Sequence, residues 1–79
     1  MSFPMTGYWR VRVVRGHEFS IHGDRYWELY VERSEDEASD KVHVLRVPSH
    51  ILSTLPPPGQ MMRVEFLVGQ VTAIHPDLS

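Results

Sequence analysis

Residues 24–33 alternate between apolar and polar side chains, which is the pattern of a β-strand that buries one side and exposes the other. The apolar side carries Trp27, Leu29 and Val31, and the opposite side carries Tyr26, Glu28, Tyr30 and Glu32. Two tyrosines in a solvent-facing row suggest a binding surface.

A second alternating run covers residues 8–15 and predicts the first strand of the chain. Val14 and Arg15 interrupt the alternation beside Gly16, and such a slip of phase indicates a β-bulge or a sharp bend. A bend of this kind lets one strand serve two sides of a barrel. Residues 16–23 are expected to form a loop or a flexible hairpin connection before the strand at 24–33.

The second half of the chain predicts three further strands and one short helix. Residues 41–47 form a strand whose two sides are both partly apolar, so the pattern leaves open which side is buried. Ser49 can cap a helix over residues 49–55, of about two turns, before a stiff turn at residues 56–59. Residues 61–75 are interpreted as two strands joined by a tight turn at residues 68–70, with one long bent strand as the alternative.

The apolar rows of these strands form the predicted core. Its members are Trp9, Val11, Val13, Trp27, Leu29, Val31, Met62, Val64 and Phe66. Both tryptophans are assigned to the core rather than to a stacking surface, because each lies in phase with the aliphatic residues of its strand.

The predicted element order is β-β-β-α-β-β. This order, with the turn and strand PGQMMRVEF at residues 58–66, resembles the oligonucleotide/oligosaccharide-binding (OB) fold over nearly the whole chain. The resemblance implies an all-β fold with one short helix, arranged as a five-stranded Greek-key barrel. In that fold the second and third strands, with the loops after strands one and four, form the ligand surface. An SH3-like small barrel is the alternative, in which residues 49–55 would be only a turn.

Length and composition fit one small domain over residues 1–79, with a disordered tail at residues 1–6. The chain has no cysteine and no long apolar run, so we expect a cytoplasmic protein that does not enter a membrane, as a monomer or weak homodimer. The net charge is −2, and four acidic residues lie at positions 34–41. This balance counts against strong, non-specific binding of nucleic acid, which usually needs a basic domain.

No catalytic or cofactor motif is present, so an enzyme is not expected. Glu28 and Glu32 share one side of a strand, but about 13 Å separates them, beyond the range of about 5–10 Å found in glycosidase pairs. His17 and His22 are the nearest approach to a metal cluster, and without cysteine or fixed ligand spacing they are interpreted as ordinary loop histidines. We therefore predict no metal and no cofactor.

Arginines and tyrosines on neighbouring outward rows suggest a surface for single-stranded DNA or RNA, with bases stacked on rings and phosphates held by guanidinium groups. The candidate residues are Tyr8, Arg10, Arg12, Tyr26, Tyr30 and Arg46. The competing interpretation is a solvated ladder in which Arg10 and Arg12 pair with Glu28 and Glu32. A protein-interaction or assembly domain that uses the same residues is the alternative function, since tyrosine and arginine are enriched in interfaces.

Overall fold

The computed structural model describes residues 6–34 and 41–77. Five strands make up one antiparallel sheet: β1 (Thr6–Ile21), β2 (Asp24–Arg33), β3 (His43–Pro48), β4 (Met61–Leu67) and β5 (Gln70–Pro76). Their order across the sheet is β3-β2-β1-β4-β5. Most of the predicted acidic loop and of the predicted N-terminal tail lies outside the described residues, and β1 begins at Thr6.

The order β4-β1-β2-β3 is a Greek key, because three consecutive strands pair in turn and the fourth returns beside the first. The predicted all-β fold of five strands is therefore confirmed, and its small barrel-like character is consistent with the structure. The sheet is not closed, since no backbone ladder joins β3 to β5 in the described residues, although the two strands approach each other. OB folds are themselves partly open barrels.

Strand β1 is long and bent, and it pairs with two neighbours. Its first half pairs with β4 from Thr6 to Arg12, and its second half pairs with β2 from Val11 to Ile21. The predicted bulge is confirmed, because the register shifts between Val13 and Arg15 and leaves Val14 as the extra residue. The loop predicted over residues 16–23 is wrong: the strand continues to Ile21. A bulge changes the phase of a strand without ending it.

Two-residue turns connect the β1-β2 and β4-β5 hairpins. His22 and Gly23 join β1 to β2 with φ of 51° and 84°, and Val68 and Gly69 join β4 to β5 with φ of 53° and 73°. Positive φ at both central residues defines the hairpin turn that matches the twist of antiparallel strands. The tight turn predicted near residue 69 is confirmed, and so is the division of the last segment into two strands.

The core lies on the concave side of the coiled sheet. Its buried members are Trp9, Val11, Val13, Leu29, Val31, Leu45, Val47, Met62, Val64, Phe66 and Ile74. Of the predicted core residues only Trp27 is partly rather than fully buried, and it still packs against the cluster. The buried pair Leu45 and Val47 also settles the orientation of β3, whose Val44 and Arg46 are exposed.

The helix predicted over residues 49–55 is wrong, because the segment forms turns. The indole Nε1 of Trp27 donates a 2.6 Å hydrogen bond to the carbonyl of Leu52, and the amide of Ser49 donates to the carbonyl of Arg25 at 3.1 Å. Isolated two-turn helices have a costly nucleus, so these bonds to β2 prevail over local helix formation. The SH3-like alternative anticipated a turn here, whereas the Greek-key arrangement of the strands agrees with the OB-like prediction.

Candidate functional site

The outer side of the β1-β2-β3 part of the sheet carries a compact patch of aromatic and charged residues. Its rows follow the strand register: β1 contributes one residue to each row, β2 the next and β3 the last. The rows are Arg15-Tyr30-Val44, His17-Glu28-Arg46 and Phe19-Tyr26-Pro48. We call these nine residues the aromatic–arginine face.

Three aromatic rings give this face two separate flat surfaces. The rings of Phe19 and Tyr26 stack with a centroid distance of 5.5 Å and an interplanar angle of 25°. Four residues further along β2, the guanidinium carbon of Arg15 lies 4.4 Å from the ring centre of Tyr30. Both arrangements fix the orientation of their rings, because stacked pairs and cation–π pairs have preferred geometries.

Glu28 lies at the centre of the face and holds its neighbours in place. Its carboxylate accepts a hydrogen bond of 3.1 Å from the hydroxyl of Tyr30 and lies 3.2 Å from Nε2 of His17. Nε of Arg46 approaches the other carboxylate oxygen at 3.5 Å, and Arg46 also lies 5.3 Å from the ring centre of Phe19. One carboxylate thus contacts an arginine, a histidine and a phenol.

The predicted binding residues divide into two groups. Tyr26, Tyr30 and Arg46 all belong to the aromatic–arginine face. Tyr8, Arg10 and Arg12 lie on the outward row of the first half of β1, before the bulge, where β1 pairs with β4. The structure therefore places three of the six predicted residues on the face. The other three lie on the first half of β1, the strand whose second half contributes to the face.

The acidic partners of Arg10 and Arg12 test the predicted charge ladder. Arg12 forms an ion pair with Glu32, as the ladder requires. Arg10 pairs with Asp77 at 2.6 Å instead of with Glu28. The hydrogen bond to Asp77, and then its charge, raise the pKa of the Arg10 guanidinium above its ordinary value, so this side chain stays charged throughout the usable pH range.

The three residues that β1 contributes to the face were not among the predicted binding residues. Arg15, His17 and Phe19 occupy alternate positions of β1, but the sequence interpretation ended the strand at Arg15 and placed residues 16–23 in a loop. The sequence feature that could have identified these residues is the interruption of the alternation at Val14. If the slip is taken as a bulge within a continuing strand, these three side chains fall on the outer side opposite Tyr30, Glu28 and Tyr26.

A groove of about 580 Å³ adjoins the face where the sheet stays open. Tyr26, Arg46 and Pro48 line it from the side of β2 and β3, and Gln70 and Val71 line it from β5. Several large apolar side chains are exposed near these edges. They are Val42, Val44, Leu67 and Val68.

Among residues 6–34 and 41–77, no three histidine, aspartate or glutamate side chains cluster as metal ligands would. In the same residues, no helix is long and apolar enough to cross a membrane. No protein-family model matches the chain, and no curated protein or solved structure matches it either. The function must therefore be inferred from the arrangement of the residues themselves.

Proposed function

We propose that this protein is a binding module for single-stranded nucleic acid and that the aromatic–arginine face is its ligand surface. The observation that carries the proposal is the placement of three outward aromatic rings and two arginines on adjacent strands of a small Greek-key sheet. Base stacking on such rings contributes about 1–3 kcal/mol per base and tolerates any base, because every base has a π-face.

The two ring surfaces suit bases that are separated along one strand. Tyr26 and Tyr30 are four residues apart on β2, which corresponds to about 13 Å between their backbones. A base that stacks near Phe19 and Tyr26 and another near Tyr30 would thus be held at two points. Arg15 and Arg46, each beside one ring surface, would contact the phosphates.

The charges of the face support moderate rather than strong affinity. The face contains two arginines, Arg15 and Arg46, and one carboxylate, Glu28, so it is locally positive although the whole chain has a net charge of −2. Few phosphates would be neutralised, and the salt dependence of binding should be correspondingly shallow, at about 0.7 per phosphate contact for single strands.

The proposal describes a binding protein and not an enzyme. Glu32 is held by Arg12 and Glu28 by Arg46 and His17, so both carboxylates have structural partners. The cytoplasmic location and the monomeric or weakly dimeric state stay predictions.

A protein-interaction role is the second candidate, and the exposed apolar side chains at the open sheet edges favour it. Val44 belongs to the face, and Leu67 and Val68 lie at the β4-β5 turn. A partner protein could cover these residues together with the tyrosines, since apolar and aromatic residues form the centre of most interfaces.

Titration of labelled single-stranded DNA and RNA with the intact protein, at several salt concentrations, tests the two candidates. The nucleic-acid proposal expects saturable binding at low salt, a shallow linear salt dependence, and weaker binding of duplex DNA of the same length, whose bases cannot stack on the rings. Flat titrations with both DNA and RNA at low salt would reject it. A size that grows with protein concentration, abolished by changing Tyr26 or Tyr30, would then favour assembly.

A further inference from the structure

A second arginine–tyrosine pair lies on the outer side of the sheet, away from the aromatic–arginine face. The guanidinium carbon of Arg63 on β4 lies 4.0 Å from the ring centre of Tyr8 on β1. Its geometry matches that of Arg15 and Tyr30, whose corresponding distance is 4.4 Å. Neither Arg63 nor Arg15 forms an ion pair with any acid of the described residues.

Arg63 lies between two basic side chains in the sheet. Arg63 is paired in register with Arg10 on one side and with His75 on the other. Like charges directly opposite each other across strands are unfavourable. The carboxylate of Asp77 forms an ion pair with Arg10, and the carboxylate of Glu65 lies 2.8 Å from Nε2 of His75. Arg63 itself has no carboxylate within ion-pair distance, 4.0 Å, among the described residues.

The two arginine–tyrosine pairs are connected by a single row of residues. Tyr8, Arg10 and Arg12 precede the bulge on the outward side of β1, and Arg15, His17 and Phe19 follow it on the same outer side. The row contains aromatic or cationic residues at every position. Tyr8 and Arg15 are seven residues apart, so at most about 23 Å of strand separates them.

We infer that Arg63 and Tyr8 form a second contact point for the same nucleic-acid strand, which runs along β1 from the aromatic–arginine face past Arg12. Arg63 binds a phosphate and Tyr8 supports its guanidinium group. This inference rests on the proposed function. It adds the path that the strand follows along β1 and the minimum ligand length that reaches Arg63. Barrels of this type occupy about 4–16 nucleotides, so a ligand of about 4 covers the face alone and one of about 12 reaches Arg63.

The test compares oligothymidylates of these two lengths, about 4 and about 12 nucleotides, on the wild type and two variants. Arg63→Gln removes the charge of the second contact point. Arg25→Gln is the matched control: Arg25 is exposed, lies 4.0 Å from Glu18, and belongs to neither contact point. Both variants change the net charge equally, so any general electrostatic effect appears in both. Thermal unfolding of each variant checks that the fold is retained.

We expect Arg63→Gln to lower the salt slope for the longer oligonucleotide by about 0.7 and to weaken its binding several-fold, with the shorter one unaffected. Arg25→Gln should change neither. Equal behaviour of the two variants on the longer ligand would overturn the second contact point while leaving the proposed function intact. Failure of the wild type to bind either ligand would instead overturn the proposed function, and this inference with it.

Discussion

A methyl group placed on Gly16 would lie 2.7 Å from Cδ2 of Leu29, the residue paired with it across β1 and β2. It would also lie 2.8 Å from Cδ1 of Leu55 and 3.2 Å from the carbonyl of Glu28. Leu29 is fully buried and the carbonyl belongs to the backbone of β2, so neither can move away easily. Gly16 thus permits the close packing of β1 on the core directly after the bulge.

We predict that Gly16→Ala destabilises the protein by about 1–3 kcal/mol, the usual cost of overpacking a core. Urea unfolding measures the change in the free energy of unfolding. Ser20→Ala, an exposed change on the same strand, should stay within about 0.5 kcal/mol of the wild type. A Gly16→Ala protein as stable as this control would show that Leu29 and Leu55 can repack without cost.

The β4-β5 turn contains a strained residue. Val68 has a φ of 53°, a conformation that β-branched residues rarely adopt. Its side chain is 66% exposed, so burial in the core does not explain a valine at this position either. Asparagine tolerates this conformation well and is favoured before glycine in such turns.

We predict that Val68→Asn raises the free energy of unfolding by about 1 kcal/mol, because the left-handed conformation costs other residues about 1–2 kcal/mol. In a domain of this size that corresponds to a rise in Tm of about 4–8 °C. Leu67→Asn is the control, since Leu67 is also well exposed, at 55%, and precedes the turn without a positive φ. Equal Tm values for the two variants would argue against strain at Val68.

The hydrogen bond from Trp27 to Leu52 should stabilise the turns at residues 49–54. We predict that Trp27→Phe, which keeps an aromatic ring, costs about 0.5–1.5 kcal/mol for the lost bond, with some further loss of packing. Trp27→Ala should cost about 3 kcal/mol, near the lower limit for a buried tryptophan because Trp27 is partly exposed. Amide exchange of Ser49 and Ile51 should accelerate in both variants. Unchanged exchange would show that the turns are held by the backbone alone.

Two substitutions at Tyr30 separate the contribution of its ring to single-strand binding from that of its hydrogen bond to Glu28. Tyr30→Leu removes the ring and should weaken single-strand binding about 5-fold to 150-fold, the equivalent of about 1–3 kcal/mol. Tyr30→Phe keeps the ring and removes only the hydroxyl that donates to Glu28, so it should bind nearly as the wild type does. If the two variants lose affinity equally, Tyr30 acts through Glu28 rather than through its ring.

Local periodicity predicted most of this fold. The alternation along β2 correctly separated Leu29 and Val31 from Tyr26 and Tyr30, because a strand places successive side chains on opposite sides whatever its partners are. Alternation along β3 did not identify its buried side, because its two sides have similar polarity. Only pairing with β2 determines which side faces the core.

The errors concern features that depend on distant parts of the chain. The helix at residues 49–55 fails because the indole of Trp27, 25 positions from Leu52, takes the carbonyl of that residue. Arg10 pairs with Asp77, 67 positions away, and not with the nearer Glu28. No spacing rule connects such residues, so the composition of the candidate face could be predicted only in part.

The bulge at Val14 has a consequence for protein engineering. It places two successive residues, Val14 and Arg15, on the exposed side, so the inward position after Val13 falls to Gly16. Deleting Val14 would keep every later side chain of β1 on its present side while removing the local source of bending. Curvature and side-chain orientation are thus set separately here, and a one-residue deletion could flatten the sheet without turning Phe19 or His17 towards the core.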